Sequence, residues 1–414
     1  MNVLKDFPED FSKPLQTSFY MLKIFNIRYL EDDQPFLKKN WHFSYISATV
    51  LIHIVSLALC MPEVLTREMI SQFAYLIPII LVTIHTTLKC LVLIPNTRRV
   101  SAFIKELGSL WRVKFTPSQK QEKDTLLWKL NFINRATFWI SVIGSFQYLL
   151  SPLFETLFRR FVIKQDSELL LPFGSKYPFN PTKNWKIYII VYIFQLYSTF
   201  NKFSFNFSVT ILLAMYVGAA LIMITSCALL GIEFLLIKHD LNQVEPRPNR
   251  EKGYDVDADG NVRPSIEMFV KRHQQLLKLS RQLDNIFTGM VFIDVLFVGI
   301  TTCAFSVMAQ FASGAGYMLV SYIGIASSML TILYLCYYGD LLTSASSSIG
   351  DAAYNNLWYE GGRQYKTAVL LIIMISQKPC CLTSLRHVVV SMAMFTKVKY
   401  YLNNNNNQPI ILVL

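Results

Sequence analysis

Apolar positions fall in long unbroken blocks, with neither the i, i+3, i+4 spacing of a surface helix nor the alternation of a half-buried strand. Clear blocks cover residues 43–61, 73–94, 133–153, 287–311 and 317–338. Each is close to the 20 or so apolar residues that carry a helix across a bilayer. A weaker block, 382–402, is interrupted by Arg386, Lys397 and Lys399, and a long one, 187–237, only by Asn201, Lys202 and Asn206. The block at 368–375, inside "KTAVLLIIMISQKP", is too short to cross. The pattern predicts an all-α membrane protein.

Composition agrees, and charge gives the direction. Of 414 residues, 53% are hydrophobic and only 16% charged, yet the net charge is +12. A soluble domain carries about 25% charged residues. Basic residues crowd three segments. Before the first block stand Lys5, Lys13, Lys23, Arg28, Lys38 and Lys39, and 95–132 holds eight more between Arg98 and Lys129. Segment 238–286 holds nine, from Lys238 to Arg281. The connection after the first block has only Arg67, the 313–316 turn has none, and 154–185 has five. Lys and Arg collect on the cytoplasmic side, which predicts an inside N-terminus, seven crossings and an extracellular C-terminus. For 238–286 to lie inside, the 187–237 stretch crosses once and runs on beneath the bilayer. This placement accounts for the basic excess without nucleic acid, and it excludes a G-protein-coupled receptor, whose N-terminus is outside. The first 25 residues carry charges throughout and contain no signal-length apolar core.

Few residues suggest chemistry. The seven cysteines have no metal-ligand spacing and read as reduced thiols. "DVDADGNVRPSIE", 255–267, resembles a calcium loop, but its twelfth position is Ile266, with Glu267 one residue late and Pro264 inside it; it reads as a solvated turn. Asp294 and Lys202, charges within apolar blocks, are costly there unless paired or hydrated. Each is read as an interhelical partner or as the lining of a wet cavity. His53 and His85 read as helix-bonded, Lys89 and Asp340 as snorkelling helix-end charges, and Asn206, in a sequon inside a span, as unglycosylated. No nucleophilic triad, HExxH, Walker loop or dinucleotide fingerprint is present. The expectation is a protein that is no enzyme, with no cofactor and no metal.

Residues 354–379, "YNNLWYEGGRQYKTAVLLIIMISQKP", resemble the signature of insect odorant receptors, with Tyr354, Asn355, Trp358, Tyr359, Ser376, Gln377, Lys378 and Pro379 in register. "LPFGSKYPFNP", 171–181, is similar to that family's extracellular loop, and Gln195, Asn206 and "LLA" at 212–214 follow at familiar spacing. The resemblance covers roughly residues 40–400. It implies a subunit of an odorant-gated, non-selective cation channel, working in the plasma membrane of an olfactory neuron as a heterotetramer with a shared co-receptor. The partners implied are that co-receptor, a small apolar volatile and membrane lipid. A gustatory-type receptor of the same architecture is the near alternative; a secondary transporter would need internal repeats, which the hydropathy lacks.

The resemblance also assigns regions. Residues 1–42 would be the cytoplasmic N-terminal segment, 43–339 the first six spans with their loops, 340–379 a cytoplasmic anchor, and 380–414 a pore-lining last helix. The odorant pocket is implied in the outer half, between spans two, three, four and six. There the sequence places Phe73 and Tyr75; Ser145, Phe146, Tyr148 and Leu149; Tyr192, Gln195 and Tyr197; and Tyr317, Ser321 and Tyr322. In the anchor, Tyr354, Trp358, Tyr359, Leu371, Ile372, Gln377, Lys378 and Pro379 mark the subunit contact, with Val369 to Met374 expected between subunits. One departure stands out. The family usually ends in an aromatic and aliphatic run, whereas Asn403 to Asn407 are followed here by Gln408 and Pro409. The gate differs, or this end is a non-functional variant.

Overall fold

The computed structural model describes residues 4, 6–24, 38, 70–113, 115–164, 169, 171, 184–200, 205–244, 265–311 and 315–405. Among the described residues ten α-helices run in chain order. They are α1 Glu9–Ile24, α2 Ile70–Leu93, α3 Thr97–Leu110, α4 Pro117–Phe158, α5 Trp185–Phe200, α6 Phe205–Gln243, α7 Ile266–Phe311, α8 Ala315–Asn355, α9 Arg363–Ser376 and α10 Met392–Asn405. A π-helical turn, Arg159–Ile163, extends α4, and a two-stranded antiparallel hairpin, Thr383–Ser384 with Val388–Val389, lies between α9 and α10. Among the described residues three helices are long and apolar enough to cross a membrane, or up to five if each bent pair counts as one span. The expected first span, 43–61, lies outside the described residues, as do His53, Lys202 and the 255–264 part of the calcium-like loop.

The long helices overshoot any bilayer. α7 has 46 residues and α8 has 41, so each is about 60–70 Å long at 1.5 Å per residue, against a hydrocarbon core of about 30 Å. The surplus projects from the basic end of the bundle, where α7 carries Lys271, Arg272, Lys278 and Arg281. Much of the basic segment at 95–132, which has no long apolar block, is also helical. Pro95, which has no N–H to donate, stands where the chain bends 67° from α2 into α3. α3 then buries Val100, Phe103, Ile104 and Leu107, one face of a helix. α1 docks on the same end, burying Phe11, Leu15 and Phe19, with Phe11 against Trp111 at 5.4 Å between rings.

α6 is the hub. The 187–237 stretch, expected to be one continuous helix, is carried by α5 and α6 on either side of residues 201–204. From Met215 onward α6 is apolar and buried almost all round. Several of its polar groups are answered by another element. Ser18 of α1 and Asn134 of α4 meet Thr225 Oγ1 at 2.8 and 3.0 Å. Glu233, fully buried, accepts from Arg272 Nη2 of α7 at 2.8 Å, and the same Nη2 reaches the Leu110 carbonyl at 2.7 Å.

A buried charge cluster fastens α2 to α7. Asp294 Oδ1 lies 2.7 Å from Lys89 Nζ and 2.9 Å from His85 Nε2. The Lys89 ammonium sits 4.2 Å from the centre of the Tyr216 ring of α6, and the His85 ring stacks on Phe297 at 4.8 Å. This corrects the reading of Lys89 as a snorkelling charge. At 1% exposure it cannot reach water, and it neutralises Asp294 instead. Of the two readings open for Asp294, the interhelical partner is the one observed.

A second correction concerns the last apolar block. It does not run as one helix from 382, because Leu385 and Arg386 have φ of 47° and 64° and turn the chain through the hairpin. α10 starts only at Met392 and is followed to Asn405, so residues 406–414 lie outside the description.

Removing one partner of a buried ion pair leaves a desolvated charge, at a cost of about 3–5 kcal/mol. Lys89→Met is therefore expected to lower the thermal unfolding midpoint of the detergent-solubilised protein. The double variant Lys89→Met/Asp294→Asn recovers most of that loss. A thermal melt of the three proteins checks it, and equal losses in single and double variants would contradict the pairing.

Candidate ligand pocket and subunit anchor

The pocket expected from the sequence draws on α2, α4, α5 and α8 at the end away from the basic segments. α5 is a short, strongly apolar helix whose i, i+4, i+7 positions Tyr188, Tyr192 and Gln195 are buried. Tyr192 Oη donates to the Leu149 carbonyl of α4, tying the two helices. Tyr188 packs between Trp185 and Tyr192, 5.7 Å from each ring.

α8 approaches α4 where side chains are small. A Cβ on Gly144 would lie 3.6 Å from Ile323, and one on Gly316 would lie 3.0 Å from Ser151 Oγ. The Gly316 N–H donates to Glu155 Oε2 at 3.2 Å. Ser321 is buried on the same helix.

The twelve candidate residues thus divide. Tyr192, Gln195 and Ser321 are buried among the helices, and Ser145 and Leu149 are half-buried. Ser145 Oγ is turned back onto the Ser141 carbonyl at 2.7 Å. Phe146, Tyr197 and Tyr322 are exposed in the isolated chain. For Phe73, Tyr75, Tyr148 and Tyr317 the helix backbone is described and the side chains are not.

Two further residues belong to this end. Tyr188 was readable from its helical spacing to Tyr192. Phe305 of α7 lies so close to Gly324 of α8 that a Cβ there would sit 2.5 Å from its ring. Nothing local in the sequence marks that contact, since it joins two separate spans.

The candidate subunit anchor lies at the other end. α9 opens at Arg363 after two glycines and has two faces. Tyr365, Val369, Ile372 and Ser376, at helical spacing, are buried against the chain's own α7 and α8. Leu370, Leu371, Met374 and Ile375 are exposed, Leu371 by 52% and Met374 by 64%. The expectation that Val369 to Met374 all lie between subunits is corrected: Val369 and Ile372, the latter 3% exposed, belong to this chain's core, and a helix cannot turn both faces to one neighbour.

Of the other anchor residues, Tyr354, Tyr359, Gln377, Lys378 and Pro379 are exposed, while Trp358 packs partly against the core. The exposed Asn355 is not the asparagine that bonds inward. Its neighbour Asn356 is buried and donates Nδ2 to the Leu241 and Val244 carbonyls at 3.0 and 2.9 Å, closing the end of α6. Tyr365 Oη donates to Asn356 Oδ1 at 2.8 Å, and burial raises its pKa, keeping the phenol a donor. Burial likewise raises Cys380 and Cys381, which stay thiols. Among the described residues no group of His, Cys, Asp and Glu could hold a metal ion.

Comparison with known proteins fits this architecture. The insect olfactory receptor OR5 from Machilis hrabei, solved in complex with eugenol, has the same fold, with a TM-score of 0.70 at 13% identity, covering 96% of this chain and 98% of that one. Odorant receptor 67c of Drosophila melanogaster is 30% identical over 129 residues, 31% of this chain and 32% of its own. The Drosophila melanogaster odorant receptor coreceptor is 26% identical over 140 residues, 33% of this chain and 28% of its own. The alignments thus span about a third of the length of these curated relatives. The family model described as 7tm odorant receptor matches residues 69–399. Covering well over half of the sequence, that match places the chain in the 7tm odorant receptor family.

Proposed function

We propose that this chain is a tuning subunit of an odorant-gated cation channel, assembled with a co-receptor in the plasma membrane of an olfactory neuron. The observation that carries the reading is the family match over residues 69–399; the similarity to coreceptors supports a shared assembly mode. On this reading the N-terminus and the basic end face the cytoplasm, where Lys and Arg accumulate. A volatile enters the outer end among α2, α4, α5 and α8, and α10 lines the pore. The ligand acts by binding the open state more tightly than the closed one.

The pocket suits a small, mostly apolar molecule. Tyr192 spends its hydroxyl on a backbone carbonyl and Ser145 on its own helix, which leaves the Tyr192 ring to offer its aromatic surface. The fold relative from Machilis hrabei was solved with eugenol, itself a small aromatic. The exposed apolar face of α9 supports the anchor as a subunit contact, since a patch of Leu370, Leu371, Met374 and Ile375 in water marks an interaction surface.

Three outcomes are expected. Whole-cell recording with a broad odorant panel gives current when the chain is expressed with an insect co-receptor and none when it is expressed alone. Silence in both, with the protein at the surface and residues 400–414 replaced by an ordinary family terminus, would overturn the channel reading.

At the pocket, Tyr322→Ala is expected to change relative odorant potencies by about tenfold, the effect of losing roughly 1.4 kcal/mol of contact. Concentration–response curves at matched surface amounts check it, and an unchanged ranking would remove Tyr322 from the pocket.

At the anchor, Leu371→Glu is expected to leave the chain folded but abolish co-purification with the co-receptor. Ile372→Ala instead opens a cavity in the chain's own core and costs about 2–5 kcal/mol of stability. Co-purification and thermal melts separate the two, and a fully assembled Leu371→Glu would count against the face.

A further inference from the structure

The hairpin between α9 and α10 is held more firmly than a loop needs to be. Asp284 of α7 accepts on one oxygen both the Thr383 N–H at 2.7 Å and the Thr383 hydroxyl at 2.8 Å. The next residue, Asn285, accepts from Arg386 Nη2 at 2.7 Å. On the other side, Cys380 N–H donates to Ser346 Oγ of α8 at 2.9 Å. Val390 N–H closes the hairpin on the Leu382 carbonyl at 2.9 Å, and both residues are fully buried.

The seat on α8 is a glycine. A Cβ on Gly339 would stand 2.9 Å from the Val390 carbonyl oxygen, a backbone atom that cannot swing away. The turn itself uses Leu385 and Arg386 at positive φ, where hairpins ordinarily place Asn and Gly. L-residues persist in that region only where their surroundings over-determine it, and such strain collects at functional sites.

Only Val390 and Ser391 separate the second strand from the first residue of α10. The connection therefore has no slack. A shift of α7 against α8 reaches the first turn of α10 through paired backbone and three side-chain clamps.

We propose that this hairpin couples α7 and α8 to the last helix, with Asp284 as its positioning residue, so that it sets the balance between closed and open pore. The inference rests on the reading of α10 as pore-lining. Asp284 acts through Thr383, whose N–H and hydroxyl it holds.

The test uses the full chain with co-receptor, comparing the parent with Asp284→Ala, Asp284→Asn and Thr383→Val. Removing both bonds to the carboxylate is expected to shift the odorant concentration for half-maximal current by about tenfold in Asp284→Ala, with odorant ranking unchanged. Asp284→Asn keeps an oxygen that accepts both bonds and stays within about threefold, and Thr383→Val, which loses only the hydroxyl bond, falls between. An Asp284→Ala curve that overlays the parent's at equal surface amount overturns the proposal, as does a fall in surface amount with an unshifted curve, which would make Asp284 a fold contact alone. If Asp284→Ala does not reach the surface, Thr383→Val decides, and its unshifted curve is equally fatal.

Odorant current in the parent is read first, so failure of the channel reading shows before any variant is compared. In that event hydrogen exchange on the purified chain still decides the coupling. Asp284→Ala is expected to speed exchange in residues 383–390 and onward into 392–397. A change confined to Thr383 refutes the clamp.

Discussion

The helices of this molecule lean on one that, from Met215 onward, has almost no free side. In lipid, apolar side chains gain little by leaving the hydrocarbon for each other, so helices hold together by close packing and a few polar contacts. α6 supplies both. Small residues recur along it, Gly218, Ala219, Ala220, Ser226, Cys227, Ala228 and Gly231, and a Cβ on Gly231 would lie just 3.6 Å from the Leu342 backbone of α8. Three of its polar groups are met by neighbours: Thr225 by α1 and α4, Cys227 by the Tyr338 carbonyl at 3.3 Å, Glu233 by α7. The surrounding helices are placed by these meetings.

α7 is pinned at three heights. Asp294 ties it to α2, Arg272 ties it to α6, and Asp284 ties it to the hairpin. Because it is one continuous helix of 46 residues, these contacts share one rigid rod, and a rotation that breaks one disturbs the others. The buried carboxylates paired with α7 or on it, Glu233 and Asp294, add little to stability after their desolvation, but each accepts only one register of its partner helix. Close approach does the same without charge at Gly339, Gly324 and Gly144, where a neighbouring residue occupies or borders the space of a missing side chain.

How far this could be read from sequence depended on the range of the signal. Spans announce themselves through about 20 neighbouring residues, so α2, α7 and α8 were legible from block length alone. Asp294 stood out because a charge in an apolar block is conspicuous; its partner did not, because Lys89 lies in another block and looked like an ordinary helix-end lysine. α3 was hidden by its own amphipathicity, which in a basic segment resembles a loop until the period of Val100, Phe103, Ile104 and Leu107 is counted. The hairpin was hidden for the opposite reason. Its turn has neither Gly nor Asn, so the stretch reads as apolar helix, and the residue that holds its first strand, Asp284, lies far away in the chain. In the pocket the residue types were legible and their bonding was not: Tyr192 and Gln195 lie buried on α5 while Tyr197 on the same helix does not.

The bare face of α9 has a consequence for the life of the chain before it works. Leu370, Leu371, Met374 and Ile375, and with them Tyr354 and Tyr359, are exposed on a part of the molecule that no lipid covers if the basic end lies beneath the membrane. A newly made copy waiting for company presents to the surrounding water the kind of greasy patch that chaperones and degradation machinery recognise. Surplus copies would be cleared or would clump, and the number that survive would follow the supply of whatever shields that face. On that reading the abundance of this protein in its cell would be set as much by stoichiometry as by its own synthesis.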